Sequence, residues 1–213
     1  SDTKSTLQKS ERMRVSTDTL VAEIDAIGGD IRRLELRKHG SVTDPKQPLV
    51  LLDSSDDKTY VAQTGLFDAA NTELPNHHTH FALPASSMEL TEGKDSLDVR
   101  LEATTASGIK AARIYTFKRG SYLIDTRYEV SNGSAQAITP SAYFRLLRDN
   151  HKPDGETRMV STFTGVAMYT AQHKYEKVSF EDIDKDKAKF TKACDNGWIG
   201  MVQHYFVAAW LAD

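Results

Sequence analysis

Short apolar segments separated by turn residues recur along most of this chain, and this pattern limits the fold more than any other feature. Leu97, Val99 and Leu101 alternate with charged residues, as in a strand that buries one face. Segments of about five to nine residues at this spacing are typical of β-sandwiches. The sequence therefore predicts an all-β protein, and 213 residues suit one sandwich, since such units reach about 200–250 residues.

Glycine turns between alternating segments predict two β-hairpins. The first joins 20–26 to 31–36 across Gly28-Gly29-Asp30, and the second joins 109–117 to 123–130 around Gly120. Glycine favours both turns because it adopts positive φ angles at low cost. Further strands are predicted at 49–52, 60–67, 97–102, 141–147 and 161–169.

The closing stretch, residues 197–211, contains both tryptophans and no Asp, Glu, Lys or Arg. A membrane span needs about 20 consecutive apolar residues, so the run 206–212 is too short and belongs to a core or an interface. The spacing of its apolar residues fits one apolar face of a helix, and it fits two short strands broken near His204 equally well. The large side chains predicted as core anchors are Trp198, Tyr205, Phe206 and Trp210.

Two regions flank the predicted strands. Residues 1–14 contain only Leu7 and Met13 as large apolar side chains, which predicts a polar linker. Residues 15–213 are predicted to form a single domain. Between Lys174 and Asp182 the chain is highly charged, and a short helix is expected there.

Composition excludes some functions. The 27 basic and 30 acidic residues are spread along the chain, giving a net charge of −3, which argues against a nucleic-acid partner. The only cysteine, Cys194, cannot form an intramolecular disulfide.

Few residue groupings suggest catalysis or metal binding. His77-His78-Thr79-His80 could share a metal, yet no Cys, Asp or Glu lies within two residues of the group. Two other groupings could support acid–base or thiol chemistry, namely His151 with Asp154 and Glu156, and Cys194 with His173 and His204. The simpler interpretation of the His151 grouping is a polar surface turn, and that of Cys194 is a thiol that only packs against its neighbours. We therefore expect a protein that is not an enzyme and has no metal or cofactor.

Several charged and aromatic side chains are candidate contacts with a partner. Lys118 and Arg119 form a basic hairpin tip that could contact a protein or anionic lipid head groups, although such tips are commonly only solvated. The complete set of candidate partner contacts is Lys118, Arg119, Tyr122, Tyr175 and Lys177.

Six motifs, in order along the chain, carry a family resemblance. They are Val15-x-Thr17-Asp18-x-Leu20, Gly28-Gly29-Asp30-Ile31, Thr116-Phe117-Lys118-Arg119-Gly120-x-Tyr122, Phe163-x-Gly165 with Tyr169, Lys174-Tyr175-Glu176-Lys177, and Gly197-Trp198 through Gln203-x-Tyr205-Phe206 to Ala209-Trp210. In this combination the chain resembles the large periplasmic (P1) domain of the YidC/Oxa/Alb family of membrane protein insertases.

The resemblance implies a β-supersandwich related to galactose mutarotase-like and carbohydrate-binding folds, with one or two short helices. It implies a non-catalytic interaction or chaperone module on the periplasmic face of a Gram-negative inner membrane, assisting insertion and folding of inner-membrane proteins. The expected partners are the Sec components SecD, SecF and SecYEG and nascent inner-membrane proteins. Residues 1–14 would follow a first transmembrane helix, so the native protein would be membrane-tethered.

The sequence departs from the family pattern in two respects. The family continues beyond the Ala209-Trp210 pair with further strands and a helix, so the domain is expected to be truncated at its C-terminal end. A mutarotase also needs a histidine acid and a carboxylate base, and neither is placed by a matching motif. A sugar-binding or aldose-epimerase-like protein is the alternative function.

Overall fold

The computed structural model describes residues 7–55, 57–70, 73–153, 162–194, 196–203 and 205–212. These residues form three β-sheets and one short helix, which confirms the all-β prediction. The chain divides into two compact units, Ser1–Leu147 and Arg148–Asp213.

Fourteen strands are present in the described residues. In chain order they are β1 (Arg12–Ser16), β2 (Leu20–Asp25), β3 (Ile31–Gly40), β4 (Pro48–Leu52), β5 (Tyr60–Phe67), β6 (Ser87–Glu89), β7 (Ser96–Thr104), β8 (Ile109–Lys118), β9 (Ile124–Asn132), β10 (Ser141–Arg148), β11 (Thr164–Thr170), β12 (Lys174–Ser179), β13 (Gly197–Gln203) and β14 (Phe206–Ala212). Both predicted hairpins are confirmed, as β2–β3 and β8–β9.

A seven-stranded sheet forms one layer of the first unit. Its order is β10-β5-β3-β2-β1-β6, with β4 also paired to β3, and β6 joins β1 in parallel. Side chains alternate between faces along a strand, so Met13, Val15, Ala22 and Ile24 share one face and are all buried.

The second layer of this unit is the antiparallel sheet β7-β8-β9. Its inward face carries Val99, Leu101, Tyr115 and Phe117, which are all fully buried or nearly so. Its outward face is polar and carries exposed ion pairs such as the one between Arg100 and two glutamates. The alternation recognised in the sequence thus reflects a two-layer sandwich.

The second unit contains one antiparallel sheet of order β12-β11-β13-β14. The closing stretch forms the β13–β14 hairpin, so the two-strand interpretation is confirmed and the helical stripe is wrong. Lys174–Ser179 is a strand, which corrects the helix expected from Lys174 to Asp182. The helix α1 spans only Phe180–Asp184, where the Ser179 side chain caps it by accepting a hydrogen bond from the Asp182 N–H.

One predicted boundary, the end of the linker, differs from the structure. Strand β1 begins at Arg12, and Met13 is completely buried because it shares the inward face of the strand with Val15. The sheet therefore includes the last three residues of the predicted linker, Arg12 to Arg14. The single-domain and C-terminal truncation expectations stay predictions. No helix in the described part of the chain is long and apolar enough to cross a membrane.

The predicted core anchors differ in exposure. Trp198, Phe206 and Trp210 are half-buried. Tyr205 is 81% exposed, since it lies beside the turn between β13 and β14, and its assignment as a core anchor is corrected.

Candidate functional site

The basic hairpin tip is bound to its own unit. The Lys118 ammonium lies 2.6 Å from an Asp125 carboxylate oxygen. The Arg119 guanidinium donates hydrogen bonds to the carbonyl oxygens of Lys94, at 3.0 Å, and Thr91, at 2.7 Å. Both predicted contact residues therefore have intramolecular partners, and Arg119 fastens the hairpin to the loop that precedes β7.

The same tip is fastened to the turn between β1 and β2. The Asp18 carboxylate accepts the Gly120 N–H at 3.0 and 3.1 Å, and the Thr19 hydroxyl donates to the Ser121 carbonyl at 2.6 Å. The Gly120 hydrogen bond holds the pKa of Asp18 below its ordinary value. Gly120 has φ +72°, a left-handed conformation that glycine adopts without strain.

Tyr122, the third predicted contact in this region, follows the tip. Its ring is 45% exposed and lies 5.6 Å from the His39 ring, between centroids. Of Lys118, Arg119 and Tyr122, only Tyr122 presents a large apolar side chain to solvent.

The turn of the first hairpin is joined to β8 across the sandwich. The Arg113 guanidinium donates to the Gly28 carbonyl at 2.7 Å, and the Tyr115 hydroxyl donates to the Gly29 carbonyl at 2.9 Å. All these groups are buried, so the hydrogen bonds satisfy carbonyls that water does not reach.

A buried carboxylate completes this polar cluster. Asp30 accepts a hydrogen bond from Gln63 at 2.6 Å, and its carboxylate lies 3.7 Å from Arg113 and 3.5 Å from Arg32. Burial raises the pKa of Asp30 to about 6, and the attraction of Arg113 only partly opposes this increase. The cluster contains polar atoms without a hydrogen-bond partner among the described residues, including Asp30 Oδ1 and Arg113 Nη2.

The sequence interpretation missed the role of Arg113. The signal was present, because Arg113 has the same parity in β8 as Ile109, Ala111, Tyr115 and Phe117, which all face inward. A charged residue in such a row indicates a buried charge that needs a partner.

An aromatic surface lies on one face of the second unit. The register places Tyr169 directly opposite Tyr175 on one neighbouring strand and Trp198 on the other. The rings of Tyr175 and Trp198 are 6.0 Å apart, and the Lys177 ammonium lies 5.6 Å from the Tyr175 ring centroid. We call Tyr169, Tyr175, Lys177 and Trp198 the aromatic face.

The aromatic face is accessible despite its apolar character. Tyr169 is 37% exposed and Tyr175 is 48% exposed, while Trp198 is half-buried. Lys177 also approaches the Phe163 ring, at 5.0 Å. Aromatic rings and a cation at one exposed surface are typical of contact sites for proteins, because each ring offers a large apolar area with few freely rotating bonds.

The histidine group forms separate local contacts. His77 hydrogen-bonds to the Tyr143 hydroxyl, and burial lowers the pKa of His77 to about 4. His80 lies 3.3 Å from Glu11, and both are exposed. Within the described ranges no group of three or more His, Cys, Asp or Glu residues could hold a metal ion.

The remaining chemical candidates gain little support. Cys194 is a free, exposed cysteine. The His151 backbone N–H donates to the Asp149 carboxylate at 3.0 Å. Asp154, Glu156 and His204 lie outside the described residues.

Comparison with known proteins identifies the class to which this chain belongs. A family profile described as "YidC periplasmic domain" matches residues 12–213. The chain is 50% identical over 201 residues to the membrane protein insertase YidC of Dechloromonas aromatica, covering 94% of this chain and 36% of that protein. It is 45% identical over 205 residues to the protein of the same name from Nitrosospira multiformis, covering 96% and 36%.

The chain therefore belongs to the YidC periplasmic domain family, and the resemblance found in its motifs is confirmed. It spans 36% of the length of these two relatives. The sugar-binding alternative is not favoured by these matches.

Proposed function

We propose that this chain is a non-catalytic contact module of a membrane protein insertase on the periplasmic face of a Gram-negative inner membrane. It assists insertion and folding of inner-membrane proteins by contacting nascent segments and the Sec components SecD, SecF and SecYEG. Support comes from the relatives, which are named membrane protein insertases and contain a matching periplasmic domain.

The accessible aromatic face is the observation that carries this proposal. Tyr175 and Lys177 belong to it, and both were selected as contacts from sequence. A partner that covers these rings removes apolar area from water, at about 25 cal/mol per Å². The Lys177 charge beside the rings favours a partner segment that carries a carboxylate next to apolar side chains.

The candidate contacts in the first unit have a different role in this proposal. Lys118 and Arg119 are engaged by Asp125 and by backbone carbonyls, so they contribute mainly to holding the tip. Tyr122 remains available as a secondary contact because nearly half of its surface is exposed.

Site-specific crosslinking tests the proposal. A photo-crosslinking phenylalanine analogue replaces Tyr175 in the 213-residue chain, which is then illuminated with inner-membrane vesicles that contain the Sec components. We expect a crosslink that antibodies against SecD, SecF or SecY detect. The matched control places the same analogue at Thr104 on β7.

The competing outcomes are distinct. Crosslinks to a Sec component or to a nascent inner-membrane protein from position 175, and none from 104, support the contact module. Equal crosslinking from both positions, or none from position 175, contradicts the assignment of the aromatic face.

A further inference from the structure

A basic cleft of about 570 Å³ opens on the first unit. It lies between β1, the end of β3 and the 41–47 loop that leads to β4. Its charged lining is Arg14, Arg37, Lys38 and Lys46, opposed by Glu35 and Glu89. Four basic side chains against two acidic ones leave the cleft positively charged, with His39 also in its wall.

The wall of the basic cleft is held by backbone contacts. The Ser41 N–H donates to the Gln47 carbonyl at 2.8 Å, and the Gln47 N–H donates to the Asp44 carbonyl at 2.9 Å. Gly40 packs so closely that a Cβ atom there would lie 2.7 Å from the Pro45 carbonyl oxygen. The loop is therefore folded back on the end of β3, and the cleft is formed before any ligand arrives.

The basic residues of the cleft differ in how they are held. The Arg37 side chain donates to the Thr17 carbonyl at 2.6 Å, which fixes its guanidinium in place. Lys38 lies 3.5 Å from Asp18. An arginine fixed in this way loses little further conformational freedom when it binds an anion.

Arg14 and Lys46 differ from Arg37 and Lys38 in their contacts. Within the part of the chain that the structure describes, neither the Arg14 nor the Lys46 side chain forms an ion pair or donates a hydrogen bond. Of the two lining glutamates, Glu35 is already paired with Arg33 at 3.0 Å. Among the described lining carboxylates, this leaves Glu89 to offset the charges of Arg14, Arg37 and Lys46.

We propose that this basic cleft binds a phosphate-bearing anion. Guanidinium groups form paired hydrogen bonds with phosphate oxygens, and a lysine adds a point charge, so Arg14, Arg37 and Lys46 supply the donors that such a group requires. The ligand is either the head group of an anionic phospholipid or a soluble phosphate compound. This site shares no residue with the aromatic face, so it adds to the proposed contact function rather than depending on it.

Two binding measurements distinguish the sources. The chain is mixed with phosphatidylcholine vesicles containing about 30% phosphatidylglycerol, or with pure phosphatidylcholine vesicles, and bound protein is measured by flotation. Inorganic phosphate and glycerol 3-phosphate are titrated separately by amide NMR. We expect shifts at Arg14, Arg37 and Lys46 with soluble phosphate, and flotation with phosphatidylglycerol if the head group is the ligand.

A charge-matched pair of variants tests the site. Arg14→Gln with Lys46→Gln removes the two charges that lack counter-ions, whereas Lys110→Gln with Lys189→Gln removes two exposed charges elsewhere. Each charge near an anionic surface contributes about fivefold to binding, so the cleft variant should bind about 25-fold more weakly. Circular dichroism and the melting temperature establish that both variants fold.

Each result decides the proposal. Binding of soluble phosphate or of phosphatidylglycerol vesicles that weakens only in the cleft variant supports it, and the ligand that binds identifies the source. No binding of either probe, or equal weakening in the two variants, overturns it. Neither result affects the Tyr175 crosslinks, so failure of this inference is distinguishable from failure of the contact function.

Discussion

The two units use their family motif residues in opposite ways. In the first unit, Asp18 and Gly120 are 102 positions apart in sequence and are joined by hydrogen bonds, while Gly28 and Gly29 receive donors from β8. In the second unit, Tyr175 and Trp198 belong to an exposed surface. Motif residues that look equivalent in sequence therefore have different physical roles.

The difference shows what each group of residues is required for. Buried charges and carbonyls in the first unit need partners, because an unpaired polar group in a core destabilises the fold. Exposed rings of the second unit have no such requirement, and their removal leaves the sheet hydrogen bonds intact. Substitutions in the first unit should therefore lower the free energy of unfolding. Substitutions in the aromatic face of the second unit should weaken contacts with a partner.

The largest effect is expected from Arg113→Leu. This change removes the donor to the Gly28 carbonyl and leaves the buried Asp30 without its main counter-charge. Removing one partner of a buried ion pair costs about 3–5 kcal/mol in the free energy of unfolding, which urea denaturation measures. Arg100→Leu is the control on the exposed face of the neighbouring strand, and equal losses in the two variants would contradict the buried role of Arg113.

Asp30→Asn should alter the pH dependence of stability. The pKa of Asp30 is raised to about 6 in the folded protein from an ordinary value of 3.8, so the unfolded chain releases this proton first. The ionisation of Asp30 therefore removes stability as pH rises from about 4 to 6, by about 3 kcal/mol at 1.4 kcal/mol per pKa unit.

The asparagine variant has no such proton and should lack this loss. Urea unfolding of both proteins at pH 4, 5, 6 and 7, conditions chosen to bracket the pKa of about 6, measures the difference. The free-energy gap between variant and wild type should change across this interval. A constant gap would show that Asp30 ionises alike in the folded and unfolded states.

Substitution of Gly120 should have a smaller effect. Nothing lies within 4 Å of a Cβ atom placed there, so the destabilisation caused by Gly120→Ala comes only from backbone strain at φ +72°. The expected loss is about 1–2 kcal/mol, measured as a change in the free energy of unfolding. Gly120→Asn is the matched control, because asparagine tolerates the left-handed conformation better, and it should lose less than alanine.

The smallest stability effect is expected from Tyr175→Ala. Its side chain is 48% exposed, and surface substitutions change the unfolding free energy by about 0.5 kcal/mol or less.

Tyr115→Phe in the first unit is the matched comparison. It removes only a hydroxyl, yet it should lower the free energy of unfolding by about 1 kcal/mol because that hydroxyl donates to the Gly29 carbonyl. Thermal unfolding compares the two, and a larger loss from Tyr175→Ala would place that ring among structural residues.

Much of the fold could be predicted from local signals. Alternation and glycine turns located both hairpins and strands such as β5 and β7, because one buried face imposes a period of two on the sequence. The expected helix at Lys174 failed for the opposite reason. Its charged residues lack a clear period, and pairing with β11 decides that Lys174–Ser179 is a strand.

The surroundings of the candidate contacts could not be predicted from residue type. Aromatic and basic types in a motif selected Tyr175 and Lys177, whose role as contacts stays a prediction, and the same criterion selected Arg119, whose guanidinium is bound to Thr91 and Lys94. Tyr205 was placed in the core on its size alone, although it lies at a turn and is exposed. Residue type indicates what a side chain can do, whereas its neighbours decide what it does.

The sequence by itself determined the family, the all-β class and the positions of most strands, because these depend on motif order and on periodicity within a few residues. Only the tertiary structure decided which distant residues meet, such as Asp18 with Gly120 and Arg113 with Asp30. Those contacts arise from strand pairing and layer packing between residues that are about a hundred positions apart in sequence. They cannot be inferred from a local sequence pattern.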